Sequence, residues 1–166
     1  MIQILNDRQI GQKLRRLAIA IAEQNCGEPE IILAGINTAG NHLAMLLREE
    51  LQAYAPELSS RIVRLQLDPA DPLHAAVACD CPPDTFHERV VILVDDVANT
   101  GRTLFYAFKP LLGVIPRKVQ IAVLIDRKHK TYPVHVDYVG LSLATTLHEH
   151  IQVRLAVAGE RAVYLS

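Results

Sequence analysis

The segment Val90-Val91-Ile92-Leu93-Val94-Asp95-Asp96-Val97-Ala98-Asn99-Thr100-Gly101-Arg102-Thr103-Leu104 constrains this chain more than any other. Its opening run, Val90 to Val94, is apolar throughout and mostly β-branched, which suits a strand covered on both faces, as in a parallel sheet. The run stops at two adjacent carboxylates and passes through a loop of small residues. It then enters a helical stretch containing Leu104, Phe108, Leu111 and Leu112. Pro110 falls late in that stretch and predicts a kink or an early end.

Ile31–Ile36 has the same two-sided apolar character, Val119–Ile125 reads as another strong strand, and Arg61–Leu67 alternates as a weaker one. Helices lie between them. Asn6 and Asp7 are cap-type residues ahead of Ile10, Leu14, Leu17 and Ile21 at helical spacing, with Gly27 and Pro29 at the far end. Leu43, Leu46, Leu47 and Leu51 mark a second helix. Residues 68–87, with Asp68-Pro69, Asp71-Pro72 and Pro82-Pro83-Asp84, form a loop holding at most a short hairpin or turn. After Asp126 the pattern turns short and β-like, over Val134–Val139, Ile151–Leu155 and Ala162–Leu165. Strands alternating with helices imply an α/β chain with a parallel sheet and right-handed crossovers. With no internal repeat or linker, residues 1–166 are expected to form a single domain.

Composition narrows the partners. Half of the 166 residues are hydrophobic, 21% are charged and the formal net charge is −1, which argues against an overall basic nucleic-acid binder. No stretch approaches the ~20 apolar residues of a membrane span, and the first residues carry no basic region before a long apolar run. No membrane partner is expected, and the expected location is cytoplasmic. Cys26, Cys79 and Cys81 are too few for a disulfide framework, and a Cys-x-Cys pair alone lacks the further ligands of a structural zinc site, so reduced thiols are expected.

The chemistry is read from the strand-end acids and the loop behind them. In open parallel sheets, ligands bind outside the carboxyl ends of the strands. Backbone N–H groups at a helix start favour an anion, Gly101 lets the backbone close around a phosphate, and Thr100 and Thr103 add hydroxyl donors. Asp95 and Asp96 are poor phosphate partners but good acceptors for a vicinal diol, or ligands for a metal. A ribose 5-phosphate satisfies both halves. The segment is neither G-x-x-x-x-G-K-[ST] nor G-x-G-x-x-G. An acidic metal site using Asp95, Asp96 and Asp126 is a competing reading. Helix capping in an ordinary turn accounts for one Asp or Thr, but not for the set.

Residues 90–104 resemble the phosphoribosyl-diphosphate motif of the type I phosphoribosyltransferases. The resemblance extends over nearly the whole chain to the PyrR branch, the bifunctional pyrimidine-operon regulators that also have uracil phosphoribosyltransferase activity. Leu33 to Gly40 is similar to that branch's pyrophosphate loop. Ala122 to Lys130, with Pro133 and Asp137-Tyr138-Val139-Gly140, is similar to its base-binding and hood region. The fold implied is a central parallel sheet flanked by helices, with a small β-rich hood. The resemblance assigns Asp95 and Asp96 to the ribose hydroxyls and the shell of a bound Mg²⁺. Ala98, Asn99, Thr100, Gly101, Arg102 and Thr103 would hold the 5-phosphate, and Thr38, Ala39 and Gly40 the pyrophosphate. Asp126, Arg127, Lys128 and His129 would meet the base or the hood. The partners implied are phosphoribosyl diphosphate and a nucleobase, uracil first, in a homodimer or higher oligomer.

Three departures qualify that picture. The family's pyrophosphate loop commonly carries two basic residues, where this chain has Asn37 and Ala39. The covering segment between Arg64 and Arg89 contains no Lys or Arg, but holds Asp68, Asp71, Asp80, Asp84 and Glu88, with His74 and His87 as its only ionisable bases. Lys128, His129 and Lys130 are then the best remaining source of positive charge. Finally, Ile19, His135 and Leu141 stand where the RNA-regulating branch places a histidine and basic residues, so RNA is not expected as a partner. The sequence therefore reads as a phosphoribosyltransferase of reduced rate. The alternatives are a non-catalytic nucleotide-binding module and a pyrimidine-operon RNA-binding regulator.

Overall fold

In the computed structural model, residues 1–73, 76–146 and 148–166 are described. The first helix, α1 (Asp7–Gln24), starts at a reciprocal cap: Gln9 N–H donates to Asn6 Oδ1 at 3.0 Å and Asn6 N–H to Gln9 Oε1 at 2.9 Å. Such a cap contributes about 1 kcal/mol. Ile10, Leu14, Leu17 and Ile21 are buried, as their spacing predicts.

The chain continues through β2 (Glu30–Ile36), α2 (Asn37–Tyr54), β3 (Ser59–Gln66), β4 (Ala78–Cys79), β5 (Val90–Ala98), α3 (Arg102–Ala107), β6 (Lys118–Arg127) and β7 (Tyr138–Leu143). These strands form a six-stranded sheet in the order β4-β3-β2-β5-β6-β7, parallel except for the antiparallel edge strand β4. A second sheet joins β1 (Ile2–Leu5), β9 (Ala162–Leu165) and β8 (Ile151–Arg154), all antiparallel. This is the type I phosphoribosyltransferase architecture, with the small sheet as hood.

The two-sided apolar strands divide their side chains by parity, as strand geometry requires. Ile31, Leu33, Ile92 and Val94 pack with α1 and α2 on one face, while Ile32, Ala34, Val91 and Leu93 pack with Phe86, Leu104 and Leu111 on the other. Leu47 and Leu51 are fully buried, and truncating either to Ala should cost roughly 2–5 kcal/mol.

Several boundaries differ from expectation. The strand expected to stop at Val94 runs on to Ala98, because Asp95, Val97 and Ala98 still pair with Val123, Ile125 and Asp126 of β6. The acid pair therefore lies on a strand. The helix after it ends early, as Pro110 predicts: it stops at Ala107, before a 3-10 turn over Lys109–Leu111 that contains the proline. The strand expected over Val134–Val139 begins at Tyr138, and β1 was not anticipated. Residues 68–87 are as expected, a loop with a short pairing and a turn inside: two residues of β4 pair with β3, and Pro83–Phe86 is a 3-10 turn.

Candidate active site

Parallel register brings the site together. Gly35 lies beside Val94, Ile36 beside Leu65, and Ala98 beside Asp126, so β3, β2, β5 and β6 all end along one edge. At the centre, Asp95 is buried and Asp96 half-buried. Asp96 N–H donates to Asp95 Oδ1 at 2.9 Å, and Val97 N–H donates to Asp96 Oδ1 at 2.9 Å. Burial and the neighbouring Asp96 charge push the Asp95 carboxyl well above the usual carboxylate range. A group held in this state gains when a hydroxyl donor or a cation arrives.

The loop beyond the acids is built around Gly101, whose φ of 85° lies in the left-handed region. A Cβ there would lie 2.3 Å from Val134 Cγ2, so the position needs glycine for both conformation and space. Thr131 and Tyr132 donate their N–H groups to Thr100 O at 3.0 and 3.1 Å, fastening the loop to the segment after β6. Asp95 and residues 97–104 line a small cavity of about 40 Å³. The expected phosphate-loop residues Ala98 to Thr103 thus stand together beside the acid pair.

The segment expected to meet pyrophosphate is not a free loop. The strand β2 passes directly into α2, and Thr38, Ala39 and Gly40 form that helix's first turn. Gly40 is buried, and a Cβ on it would lie 2.3 Å from Val94 O, so glycine is what lets α2 approach the end of β5. Asn37 has φ 54°, a conformation Asn tolerates better than most residues, and its Oδ1 accepts the Leu67 N–H at 3.0 Å. A residue read as a lost cation is therefore a structural tie to the covering segment.

A cation missed by sequence reasoning stands beside this turn. Arg64, on β3, donates from Nη2 to Thr38 Oγ1 at 3.2 Å and lines a cavity of about 460 Å³ with Asn37, Thr38, Gln66 and Asp68. Its position in an alternating strand reads as solvated. Only the pairing of β3 with β2 reveals its neighbour.

The covering segment is also less hostile to an anion than its acids suggest. Asp80 Oδ1 accepts the Arg64 N–H at 2.9 Å, and Asp68 Oδ1 accepts the Ala70 N–H at 2.9 Å. His87 Nδ1 accepts from Ile115 N–H at 3.4 Å, which gives it a structural use. His74 lies outside the described residues.

At the end of β6, Lys130 Nζ donates to Asp126 Oδ1 at 2.5 Å, to Arg127 O, and to Ala98 O at 3.4 Å. Lys130 is therefore committed to tying β6 to β5, whereas Lys128 and His129 are exposed. Arg127 spans the site: Nη1 donates to Asn99 Oδ1 at 3.2 Å, Nε to Thr145 Oγ1 at 2.6 Å and Nη2 to Thr146 O at 2.7 Å. It joins the Ala98–Thr103 loop to the chain leading into the hood.

An acid pair, Asp95 buried and Asp96 half-buried, beside a small hollow at the carboxyl edge of a mostly parallel sheet with a separate hood, defines a class. The phosphoribosyl transferase domain family matches this chain over residues 2–158, and the chain belongs to that family. Among curated relatives, the bifunctional protein PyrR of Bacillus pumilus (strain SAFR-032) is 37% identical over 163 residues, covering 92% of this chain and 89% of the relative. That of Streptomyces coelicolor is 36% identical over 159 residues, covering 92% and 82%. Among solved structures, a hypoxanthine-guanine phosphoribosyltransferase from Bacillus anthracis superposes with a TM-score of 0.78 at 17% identity, covering 99% of this chain and 98% of the other. The hypoxanthine phosphoribosyltransferase of Trypanosoma cruzi gives 0.78 at 14%, covering 98% and 95%. These two likenesses concern the fold. Among the described residues, no helix is long and apolar enough to cross a membrane.

Proposed function

We propose that this chain transfers the phosphoribosyl group of phosphoribosyl diphosphate to a pyrimidine base, uracil being the acceptor implied by the resemblance of residues 122–140. The observation that carries the reading is the Asp95–Asp96 pair set against the Ala98–Thr103 loop. The carboxylates accept the ribose hydroxyls, and the loop holds the 5-phosphate. Oδ1 of each carboxylate accepts a backbone N–H, which fixes both groups at the site. Two hard oxygen donors on adjacent residues suit Mg²⁺, which when bound with the substrate would stabilise negative charge on the leaving pyrophosphate.

In the transfer, the C1–oxygen bond to pyrophosphate breaks as a base nitrogen bonds to C1, through an oxocarbenium-like state. Asp95 and Asp96 place negative charge near the ribose. On the leaving side, Thr38 and Ala39 offer the first turn of α2, and Arg64 supplies the cation that positions 37 and 39 lack. A single exposed arginine is a smaller source of charge than two loop cations, so the expected transfer is slow. Its test is UMP formation from uracil and phosphoribosyl diphosphate across a Mg²⁺ series, with no product at any Mg²⁺ concentration opposing the reading.

A second reading is a regulator that touches nucleic acid. It is favoured by the shallow cavity on α1 lined by Arg8, Lys13, Arg15 and Arg16 with Glu50. Ile19, His135 and Leu141 oppose it, and we expect weak, nonspecific RNA binding at physiological salt. Sequence-selective retardation of a pyrimidine-operon leader hairpin would reverse that order.

A further inference from the structure

The Cys79-Asp80-Cys81 triplet begins on the edge strand β4, beside Arg64 of β3. We propose that Cys79 and Cys81 are a reversible modification site, a dithiol that an oxidised low-molecular-weight disulfide converts into an intrachain disulfide. Their sulfurs are 2.7 Å apart, well inside the contact distance of two unbonded sulfur atoms and close to the ~2.05 Å of a bond. Residues two apart in a straight strand stand about 6.6 Å apart, near the upper limit for a disulfide. Here β4 ends at Cys79 and the chain bends at Asp80, which turns both side chains to the same place. Both cysteines are half-buried, so a small disulfide can reach them.

A metal is the competing occupant, since Asp80 and both sulfurs offer ligand atoms within 4.8 Å of one another. The Asp80 carboxylate, however, already accepts the Arg64 N–H. Among the described residues the cluster also stops at three ligands, one short of a closed tetrahedral set.

The exchange balances without further reactants. The Cys81 thiolate attacks one sulfur of the small disulfide and releases a thiol. Cys79 sulfur then displaces the second thiol, so two cysteine thiols and one disulfide become one protein disulfide and two small thiols. Burial pushes the Cys79 thiol up to about 12, which makes it the poorer first nucleophile and the resolving partner.

The bond would reach the site through Asp80. That residue holds the Arg64 main chain twice, accepting its N–H at 2.9 Å and donating its own N–H to Arg64 O at 3.3 Å. Fixing the bend fixes the strand edge beneath the Arg64 side chain. Any effect on pyrophosphate affinity rests on the function proposed above, whereas the thiol chemistry does not.

The test equilibrates the full chain with glutathione and glutathione disulfide at graded ratios, then alkylates the remaining thiols and maps them by peptide mass. Cys79 and Cys81 are expected to vanish together in one step, in a peptide lighter by two hydrogens, while exposed Cys26 follows its own course as a glutathione adduct. Cys79→Ser should stop at a stable adduct on Cys81. In the oxidised wild type the Arg64 amide should exchange about threefold more slowly or less. Cys79 and Cys81 that stay free at ratios converting Cys26, or that each carry their own glutathione, would overturn the proposal. Neither result depends on whether uracil is a substrate.

Discussion

The two halves of the candidate site are built in opposite ways. At the end of β5, the ribose-phosphate side is over-determined: the acids bond the backbone, Thr100 O takes two N–H donors, and Arg127 and Lys130 tie the loop to its neighbours. At the end of β2, the leaving-group side is a helix start with an uncharged first turn, one left-handed Asn and a single arginine from the next strand. On the function proposed, the first region is preorganised for ground-state binding. The second has little charge to offer the transition state, where stabilisation accelerates the chemistry. Affinity and rate should therefore respond separately to mutation.

The largest effect should come from the acids. Asp95→Asn with Asp96→Asn is expected to lower UMP formation by about two to three orders of magnitude, read as steady-state kcat/KM. Next is the close approach of α2 to β5. Gly40→Ala puts a methyl group against Val94 O and should cost about 1–3 kcal/mol of stability in a denaturant titration. On the leaving-group side, Arg64→Gln should lower kcat about tenfold with little change in UMP affinity. An equal loss of both would mean that the arginine serves ground-state binding instead.

Adding charge sharpens the contrast. Ala39→Arg should raise kcat a few fold, on the order of 1 kcal/mol in the barrier. Adding Asn37→Lys should give no further gain, because it loses the bond from Leu67 N–H and places a less tolerant residue at φ 54°. The smallest effect concerns pH. The folded Asp95 carboxyl titrates above its unfolded value of about 3.9, so across that window the native state holds more protons than the unfolded chain. Stability of the unliganded protein should fall as pH rises from about 4 through the folded pKa. Asp95→Asn should remove that slope and raise stability at neutral pH, read as a melting-temperature profile.

What the sequence revealed divides along similar lines. Val90–Val94 was legible because a strand covered on both faces needs an unbroken apolar run, and Val119–Ile125 because only Gln120 interrupts one. The acid pair and Gly101 were legible because few other arrangements place carboxylates, a glycine and two threonines in so short a span. Ile2–Leu5 escaped because four residues carry little periodic signal and the strand they pair with, Ala162–Leu165, is at the other end of the chain. Arg64 escaped because its role depends on register between strands. Lys130 was read as available charge, and only the fold at the end of β6 commits it to Asp126. Asn37 was weighed for the charge it lacks, while its backbone conformation decides its use.

The central claim is that Asp95 and Asp96 hold the ribose of a ribose 5-phosphate beside the Ala98–Thr103 loop. Calorimetric titration of UMP into the wild type and the Asp95→Asn/Asp96→Asn variant tests it most directly. The account predicts binding weaker by about tenfold or more in the variant, ~1.4 kcal/mol, with its fold retained. Equal UMP affinity in the two proteins would contradict it.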